Sequence, residues 1–341
     1  MSTRTRPRLA LLHGDPTGIG PELTAKLLAK EQFTEQGELL VIGDRRCLSL
    51  GEQIANASLP LQVFSSIDDV VFSPGLVSFL DLGTFDPEGL VMGQVDPRAG
   101  RFTLETIMFA VDLALKGHID GIVFAPQNKQ AMVAGGSPRS DEVALFSHLT
   151  GWQGRAGEIC WMKDFWTARV TSHIPLGEVA KQVTREKILD AILLGHETLL
   201  RAGVANPRIG VAGLNPHLGD GGLFGTEEKD IIRPAIEDAL EQGLDVRGPF
   251  SPDTIFLKLF AGEFDLLVGM YHDQVQIGMK LMGFDRGVSI IGGIPIDVCT
   301  PAHGTAFDIA GQGKADPGAL HQAVLLGWRM AATRFYGQEG G

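Results

Sequence analysis

The segment that decides how this chain folds opens with the run Leu266-Leu267-Val268-Gly269, turns through Tyr271-His272-Asp273-Gln274, passes Lys280 and enters a second apolar run, Val288-Ser289-Ile290-Ile291. Beyond it lies Thr300-Pro301-Ala302-His303-Gly304-Thr305-Ala306-Phe307-Asp308-Ile309-Ala310-Gly311, which reads as a glycine-rich loop opening a helix. Apolar runs this short, bounded by glycine or charge, suit strands buried on both faces of a largely parallel sheet. Working outward, the same kind of run recurs at Leu9–Leu12, Leu39–Ile42, Val77–Leu80, Gly121–Phe124 and Arg208–Ala212. Between them, Phe102–Leu115 places Leu104, Ile107, Met108, Val111 and Leu115 at helical spacing, and Thr184–Leu200 does so with Ile188, Ile192, Leu193 and Leu199. Strands alternating with helices predict an α/β fold with helices on both sheet faces. Ligands of such sheets bind beyond the carboxyl ends of strands, where every motif below lies.

At 341 residues the chain exceeds what one core usually supports, so two lobes are expected. No repeat or Pro/Ser-rich tether separates them, so the chain must cross between lobes directly, near Gln127 and near Arg286. Glycine supplies 44 positions, close to twice its ordinary share of about 7%, which predicts many tight loops. A net charge of −12 excludes the basic face that a nucleic-acid or anionic-membrane partner would need, while leaving room for a small anion held by a few local cations. Cys47, Cys160 and Cys299 are far apart and outside any CxxC pattern, so buried reduced thiols are expected rather than disulfides or a thiolate zinc site. Met1-Ser2-Thr3-Arg4-Thr5-Arg6-Pro7 runs into a short apolar strand rather than a signal-peptide core, and no apolar run approaches the ~20 residues of a membrane helix. A cytoplasmic protein is the expectation.

Three histidines stand out: His173 follows the apolar-polar stretch Ala168–Thr171, His217 the strand-like run Arg208–Ala212 and His272 the strand-like run Leu266–Gly269. Imidazole is a common ligand of zinc and similar ions, and three protein ligands with open positions mark a catalytic site. Each histidine alone reads as readily as hydrogen-bonded scaffolding. Asp273 and Asp253 could orient ligands or take a proton, although Asp253 equally suits a helix N-cap ahead of Thr254–Leu259. No G-x-G-x-x-G follows a strand, so a dinucleotide would have to bind by other means. Gly18-Ile19-Gly20-Pro21 offers close backbone approach at a helix start, or an ordinary tight turn. Lys129 either reaches a cleft or begins a solvated helix.

Taken together, Gly14-Asp15-Pro16-Thr17-Gly18-Ile19-Gly20-Pro21-Glu22, Thr171-Ser172-His173-Ile174-Pro175-Leu176, the stretch from Leu214-Asn215-Pro216-His217 to Glu227-Glu228, and the 271–311 segment resemble the 4-hydroxythreonine-4-phosphate dehydrogenase family. These are metal-dependent NAD(P)-linked alcohol dehydrogenases related to the isocitrate and isopropylmalate dehydrogenases, and the resemblance covers nearly the whole chain. It implies an isopropylmalate-dehydrogenase-like α/β/α fold of two lobes, 1–127 with 287–341 and 128–286, each boundary loose by ten residues or more. It further implies an active site in the interlobe cleft, with His173, His217 and His272 holding one divalent ion, zinc, across the interface of a homodimer. Asp253, Asp273 and Lys280 become the catalytic candidates. The loop His303-Gly304-Thr305-Ala306-Phe307-Asp308-Ile309 looks like the adenosine-binding loop of isopropylmalate-type enzymes, so cofactor contacts are expected from Gly14, Asp15, Thr17, Gly18, His303, Gly304, Thr305, Ala306, Asp308 and Ile309. NAD is favoured over NADP, since no lysine or arginine flanks that loop before Lys314.

The substrate side departs from the family pattern. Phosphate in that family is held by a lysine, an asparagine and an arginine; here Lys280 is kept, but Ser289 and Val298 stand in the other two places. Valine cannot replace a bidentate cation. The family's Gly-His-Thr-Glu motif is also missing, with Pro138-Arg139-Ser140-Asp141-Glu142 in its neighbourhood. Arg139, Ser140, Lys280, Arg286 and Ser289 are therefore the substrate candidates. The expected substrate is a carboxylated, non-phosphorylated cis-dihydrodiol from aromatic degradation, such as the terephthalate dihydrodiol, with decarboxylation of the keto acid. The alternative is the parent activity on 4-hydroxythreonine-4-phosphate or 4-phosphoerythronate. From another class, a three-histidine hydrolase or lyase without nucleotide accounts for the histidines and leaves the 303–311 loop unexplained.

Overall fold

The computed structural model describes residues 4–31, 33, 36–163, 165–283 and 286–337. Its first stretch contains β1 (Arg8–Leu12), α1 (Gly20–Lys30), β2 (Glu38–Gly43), α2 (Arg45–Ala55), β3 (Leu61–Phe64), β4 (Val77–Asp81), α3 (Pro97–Leu115), β5 (Gly121–Phe124), α4 (Lys129–Ala134) and α5 (Glu142–Thr150). The middle contains β6 (Gly157–Met162), β7 (Phe165–Arg169), α6 (Val179–Gln182), α7 (Arg185–Arg201), β8 (Arg208–Ala212), α8 (Arg233–Glu241), β9 (Asp245–Phe250), α9 (Ile255–Phe260), β10 (Leu266–Gly269), α10 (His272–Gly283) and β11 (Val288–Gly292). β12 (Asp297–Pro301) and α11 (Gly318–Gly337) follow. The chain divides into two compact units, Met1–Gln153 with Ile294–Gly341, and Gly154–Gly293.

In the first unit the strands run in the order β3-β4-β2-β1-β5-β12 and every pairing is parallel. Leu9, Ala10 and Leu11 of β1 and Ile122 and Val123 of β5 are wholly buried, as a strand covered on both faces requires. Asp44 and Asp96 accept from Arg46 N and Arg98 N and so cap α2 and α3, with Pro97 in the first turn of α3. The division after Gln153 lies well beyond the crossing expected near Gln127, because α4 and α5 stay packed on α3. Gly100 makes the α3–α4 contact possible: a Cβ there would stand 1.9 Å from Ala131 O. The second division follows Gly293, a few residues past the crossing expected near Arg286.

The second unit has the order β11-β6-β7-β10-β8-β9; β7, β10, β8 and β9 are parallel, and β6 is antiparallel to both its neighbours. Beneath α9 and α10, Cys160, Met162, Phe165, Ala212, Ile255, Leu259, Leu267, Val275 and Met279 form one core. Leu194 of α7 meets Gly157 and Gly292 and Gly195 meets Leu266, so bare backbone in the strands and helix lets α7 settle closely. All three cysteines are buried and free, as expected. Among the described residues no helix is long and apolar enough to cross a membrane.

Candidate active site

The parallel strands β7, β10 and β8 are neighbours, and a histidine follows the carboxyl end of each: His173, His272 and His217. The rings of His173 and His272 lie together, centroids 5.6 Å apart. Asp273 Oδ1 stands 2.7 Å from His272 Nδ1. A carboxylate only accepts, so Nδ1 is the donor in this pair; in the neutral ring that leaves the Nε2 lone pair for a ligand.

His217 sits on an exposed loop with unusual backbone. His217, Leu218, Gly219, Asp220 and Gly221 have φ of 52°, 58°, 80°, 43° and 67°, a left-handed run that costs roughly 1–2 kcal/mol for each non-glycine residue. Gly219 is required, since a Cβ there would meet Gly225 O at 2.4 Å. Glu228, 4% exposed, holds the approach to this run. Its Oε1 accepts from Leu214 N (2.8 Å) and Asn215 N (2.6 Å), and its Oε2 accepts from Asn215 Nδ2 (3.0 Å). Glu228 opens a π-helical turn, Glu228–Ile232, that runs into α8. Among the described residues no three His, Cys, Asp or Glu side chains stand close enough to cage an ion. The fold assembles two of the expected ligands and sets the third on the adjacent strand end.

Beside the histidines, the buried Arg169 guanidinium pairs with Glu158 and donates through Nε to Ser172 Oγ (3.0 Å). Ser289 Oγ donates to Glu158 Oε1 (2.7 Å), so this substrate candidate already serves a carboxylate 131 positions away. Burial, and then the Glu158 charge, raise the Cys160 thiol above its ordinary range. Arg155, Glu158, Arg169, Ser172, Lys187 and Asp190 border a cavity of about 330 Å³. Lys280 and Arg286 are exposed. Asp253 departs from the N-cap reading: the N-cap of α9 is Thr254, and Asp253 accepts from Ser251 Oγ (2.7 Å). The turn at Ser251 fixes the helix start one residue later.

In the first unit the chain reverses direction across the sheet between β1 and β5, the kind of switch point where α/β sheets open a crevice. Gly14, φ 74°, is lodged there, with a Cβ excluded by Ala125 O and Pro126 O at 2.6 Å each. Asp15 N donates to Pro126 O (3.0 Å), and Asp15 Oδ1 accepts from Thr17 N and Thr17 Oγ1, both at 2.8 Å. Burial raises the Asp15 carboxyl above the usual carboxylate range. The 303–311 loop packs directly on this turn: Ile19 N donates to Thr305 O (3.1 Å), and a Cβ on Gly18 would be 2.8 Å from Thr305 Cβ. Gly93 N donates to Thr17 O (2.8 Å), and Gly93 abuts Phe307 O. Cofactor candidates nearly 300 positions apart therefore form one surface.

That second loop does not open a helix as expected. It is a chain of turns, with Ala306 at φ 44° and Ile309 N donating to Ala306 O (3.0 Å), and α11 starts only at Gly318. His303 Nδ1 lies 3.1 Å from Gly304 O, and Gly304 and Asp308 are exposed. Arg139 and Ser140 belong to this unit, where Arg139 Nη1 donates to Pro138 O (2.9 Å). Lys129 begins α4 and pairs with Glu142 (3.3 Å), and Asn128 caps that helix, which is the solvated-start reading. Val298 is fully buried in β12, paired in register with Ile122. Its identity reports core packing, so the missing arginine is weaker evidence against a phosphate than the sequence suggested.

Glu158, Arg169, Gln274 and Glu228 were not singled out by residue chemistry. Gln274 and Glu228 lay inside quoted motifs, but their partners are backbone groups, which leave no mark in sequence; Glu158 and Ser289 meet only through pairing of β6 with β11.

Residues 35–327 match the family described as "PdxA: Pyridoxal phosphate biosynthetic protein PdxA". The chain is 45% identical over 335 residues to "Putative 4-hydroxythreonine-4-phosphate dehydrogenase 2" of Pseudomonas aeruginosa, covering 97% of this chain and 98% of the relative. It is 39% identical to the D-threonate 4-phosphate dehydrogenase of Cupriavidus necator, covering 96% and 98%. The crystal structure of 4-hydroxythreonine-4-phosphate dehydrogenase from Klebsiella pneumoniae superposes with a TM-score of 0.85 at 34% identity, over 97% of this chain and 100% of that one. A terephthalate 1,2-cis-dihydrodiol dehydrogenase from Burkholderia xenovorans is more distant, at TM-score 0.65 and 27% identity over 96% and 98%.

Proposed function

The chain belongs to the PdxA family, and from that membership we propose that it is an NAD-linked, divalent-metal-dependent dehydrogenase of a phosphorylated hydroxy acid, of the class of 4-hydroxythreonine-4-phosphate or D-threonate 4-phosphate. It is an oxidoreductase, as its relatives are named. The expected preference for a non-phosphorylated dihydrodiol, and the decarboxylation tied to it, find no support: the relatives named for phosphorylated substrates are the nearer ones, and Val298 lies in the core.

The observation that carries the metal assignment is three histidines on three adjacent parallel strand ends, two with neighbouring rings and one with Asp273 at hydrogen-bond distance from its Nδ1. A neutral imidazole offers a nitrogen lone pair that suits a zinc-like ion, so His173, His217 and His272 would hold it. When bound, such an ion supplies charge stabilisation to the carbinol oxygen as hydride leaves for the nicotinamide. The rest falls to the chain. Asp273 keeps His272 oriented and in one tautomer. The joined loops 14–20 and 303–311 present backbone and small side chains to a dinucleotide, with glycine where close approach is needed. Lys280 and Arg286 are the exposed cations of the second unit assigned to the substrate anion; from the first unit Arg139 is the exposed cation assigned to it and Ser140 an exposed hydroxyl. A homodimer is part of the same proposal.

The test is a comparison of kcat/KM for both phosphorylated acids and their dephosphorylated forms, following reduced NAD, with and without chelator. Phosphorylated substrates should lead by at least about tenfold, as loss of a charge-assisted contact worth roughly 1.5–3 kcal/mol demands. Equal or better turnover of the dephosphorylated forms would overturn the substrate class. In parallel, His217→Ala should lose metal and turnover together while keeping its circular dichroism.

A further inference from the structure

The three histidine-bearing loops of the second unit are laced together by side chains that touch no proposed ligand. Thr171 Oγ1 donates to Met270 O (2.8 Å), tying the His173 loop to the His272 turn. Gln274, in the first turn of α10, then reaches back over the strand end. Its Oε1 accepts from Met270 N (2.6 Å) and its Nε2 donates to Gly213 O (2.9 Å), four residues before His217. One amide thereby bridges the loops that follow β10 and β8. Gly269 leaves room for it: a Cβ there would sit 3.1 Å from Gln274 Oε1 and 2.2 Å from Val275 Cγ2. Met270 is wholly buried, so its N–H needs a partner from inside the protein.

We propose that Gln274 is a positioning residue: it ties the loop that carries His217 to the turn that carries His272, and by holding both in place sets the affinity for a divalent ion, whichever subunit each histidine serves. This rests on the three-histidine reading above. The bridge needs an acceptor and a donor on one side chain at once. Glutamate supplies only the acceptor and would set a carboxylate against the Gly213 carbonyl, leucine supplies neither, and asparagine supplies both on a shorter arm. The strained backbone of 217–221 gives the loop other conformations to relax into once the tie is cut.

The experiment uses the full-length protein and Co(II) as probe, read by its visible absorption and by competition with a chromophoric chelator. Gln274→Leu and Gln274→Glu should each weaken Co(II) binding by about ten- to a hundredfold and alter the visible band, the size seen when an outer partner of a metal site is lost. Gln274→Asn should recover part of the affinity. A purely structural role would instead lower the melting temperature in chelator and leave the band and affinity alone. Wild-type affinity and band in Gln274→Leu overturn the proposal, and if that variant does not fold the same outcome in Gln274→Glu does. Failure of the unaltered protein to bind one Co(II) per chain overturns the histidine reading itself, and is told apart by needing no variant.

Discussion

At the scale of single residues, His13 shows how burial ties a titrating ring to the stability of the fold. It is 1% exposed, stacks on Phe102 at 5.6 Å and accepts from Asp44 N through Nε2 (3.3 Å); Gly43 is bare because a Cβ would stand 2.0 Å from that nitrogen. Burial lowers its pKa from 6.5 to about 4. As pH falls, the unfolded chain takes a proton on this ring before the native one does, so stability should fall between pH 6.5 and about 4 and level off below. The contribution is about 3 kcal/mol at full extent. Urea unfolding at pH 7.5 and pH 4.5 should show this loss, and His13→Gln should flatten it although it lowers stability at neutral pH. The raised carboxyl of Asp15 works in the opposite sense, losing stability as pH rises, so a slope unchanged by His13→Gln would mean the ring is not its source.

At the scale of elements, the candidate site loops are held by groups far from them in sequence. Gly18→Ala tests the joined cofactor loops: its Cβ would press on Thr305, and the two loops must part by several tenths of an ångström. NADH affinity, measured by fluorescence titration, should drop about tenfold while the unit stays folded, since overpacking of this kind costs on the order of 1–3 kcal/mol. Unchanged affinity would remove the 14–20 turn from the cofactor surface. Glu228→Ala strips three loop donors of their acceptor and should cost about 2–4 kcal/mol of stability, with Glu228→Gln recovering much of it. A neutral Glu228→Ala in thermal unfolding would show that water replaces the carboxylate freely. These elements were unequally legible. Runs such as Leu266–Gly269 and Arg208–Ala212 announced themselves, while β6, β7 and β9 did not, because Glu158, Arg169 and Arg247 interrupt the apolar pattern. Two of those charges neutralise each other across β6 and β7.

At the scale of the whole molecule, the resemblance implies that one subunit completes the histidine site of the other. Mixing inactive His217→Ala with inactive His272→Ala, after verified subunit exchange, should then restore up to about a quarter of wild-type activity, since half the dimers are mixed and each holds one intact site. The side-by-side rings of His173 and His272 within one chain make the opposite outcome informative as well. No recovery would mean that His217 and His272 of one site come from the same subunit.

What the sequence determined by itself was the α/β class, the buried reduced thiols, and the loops on which chemistry would sit, because strand burial, glycine turns and histidines after strand ends are local patterns. It also carried the family, through motifs in a fixed order. What only tertiary structure decided was which groups meet. Ser289 is committed to Glu158, Gly18 to Thr305, and the His217 loop to Gln274 and Glu228, each pair joined by strand order or by a side chain reaching for backbone. Val298 looked like a lost ligand in sequence and is a core residue in space. Periodicity records which face of an element is buried, and it holds no record of which distant backbone group a polar side chain will find there.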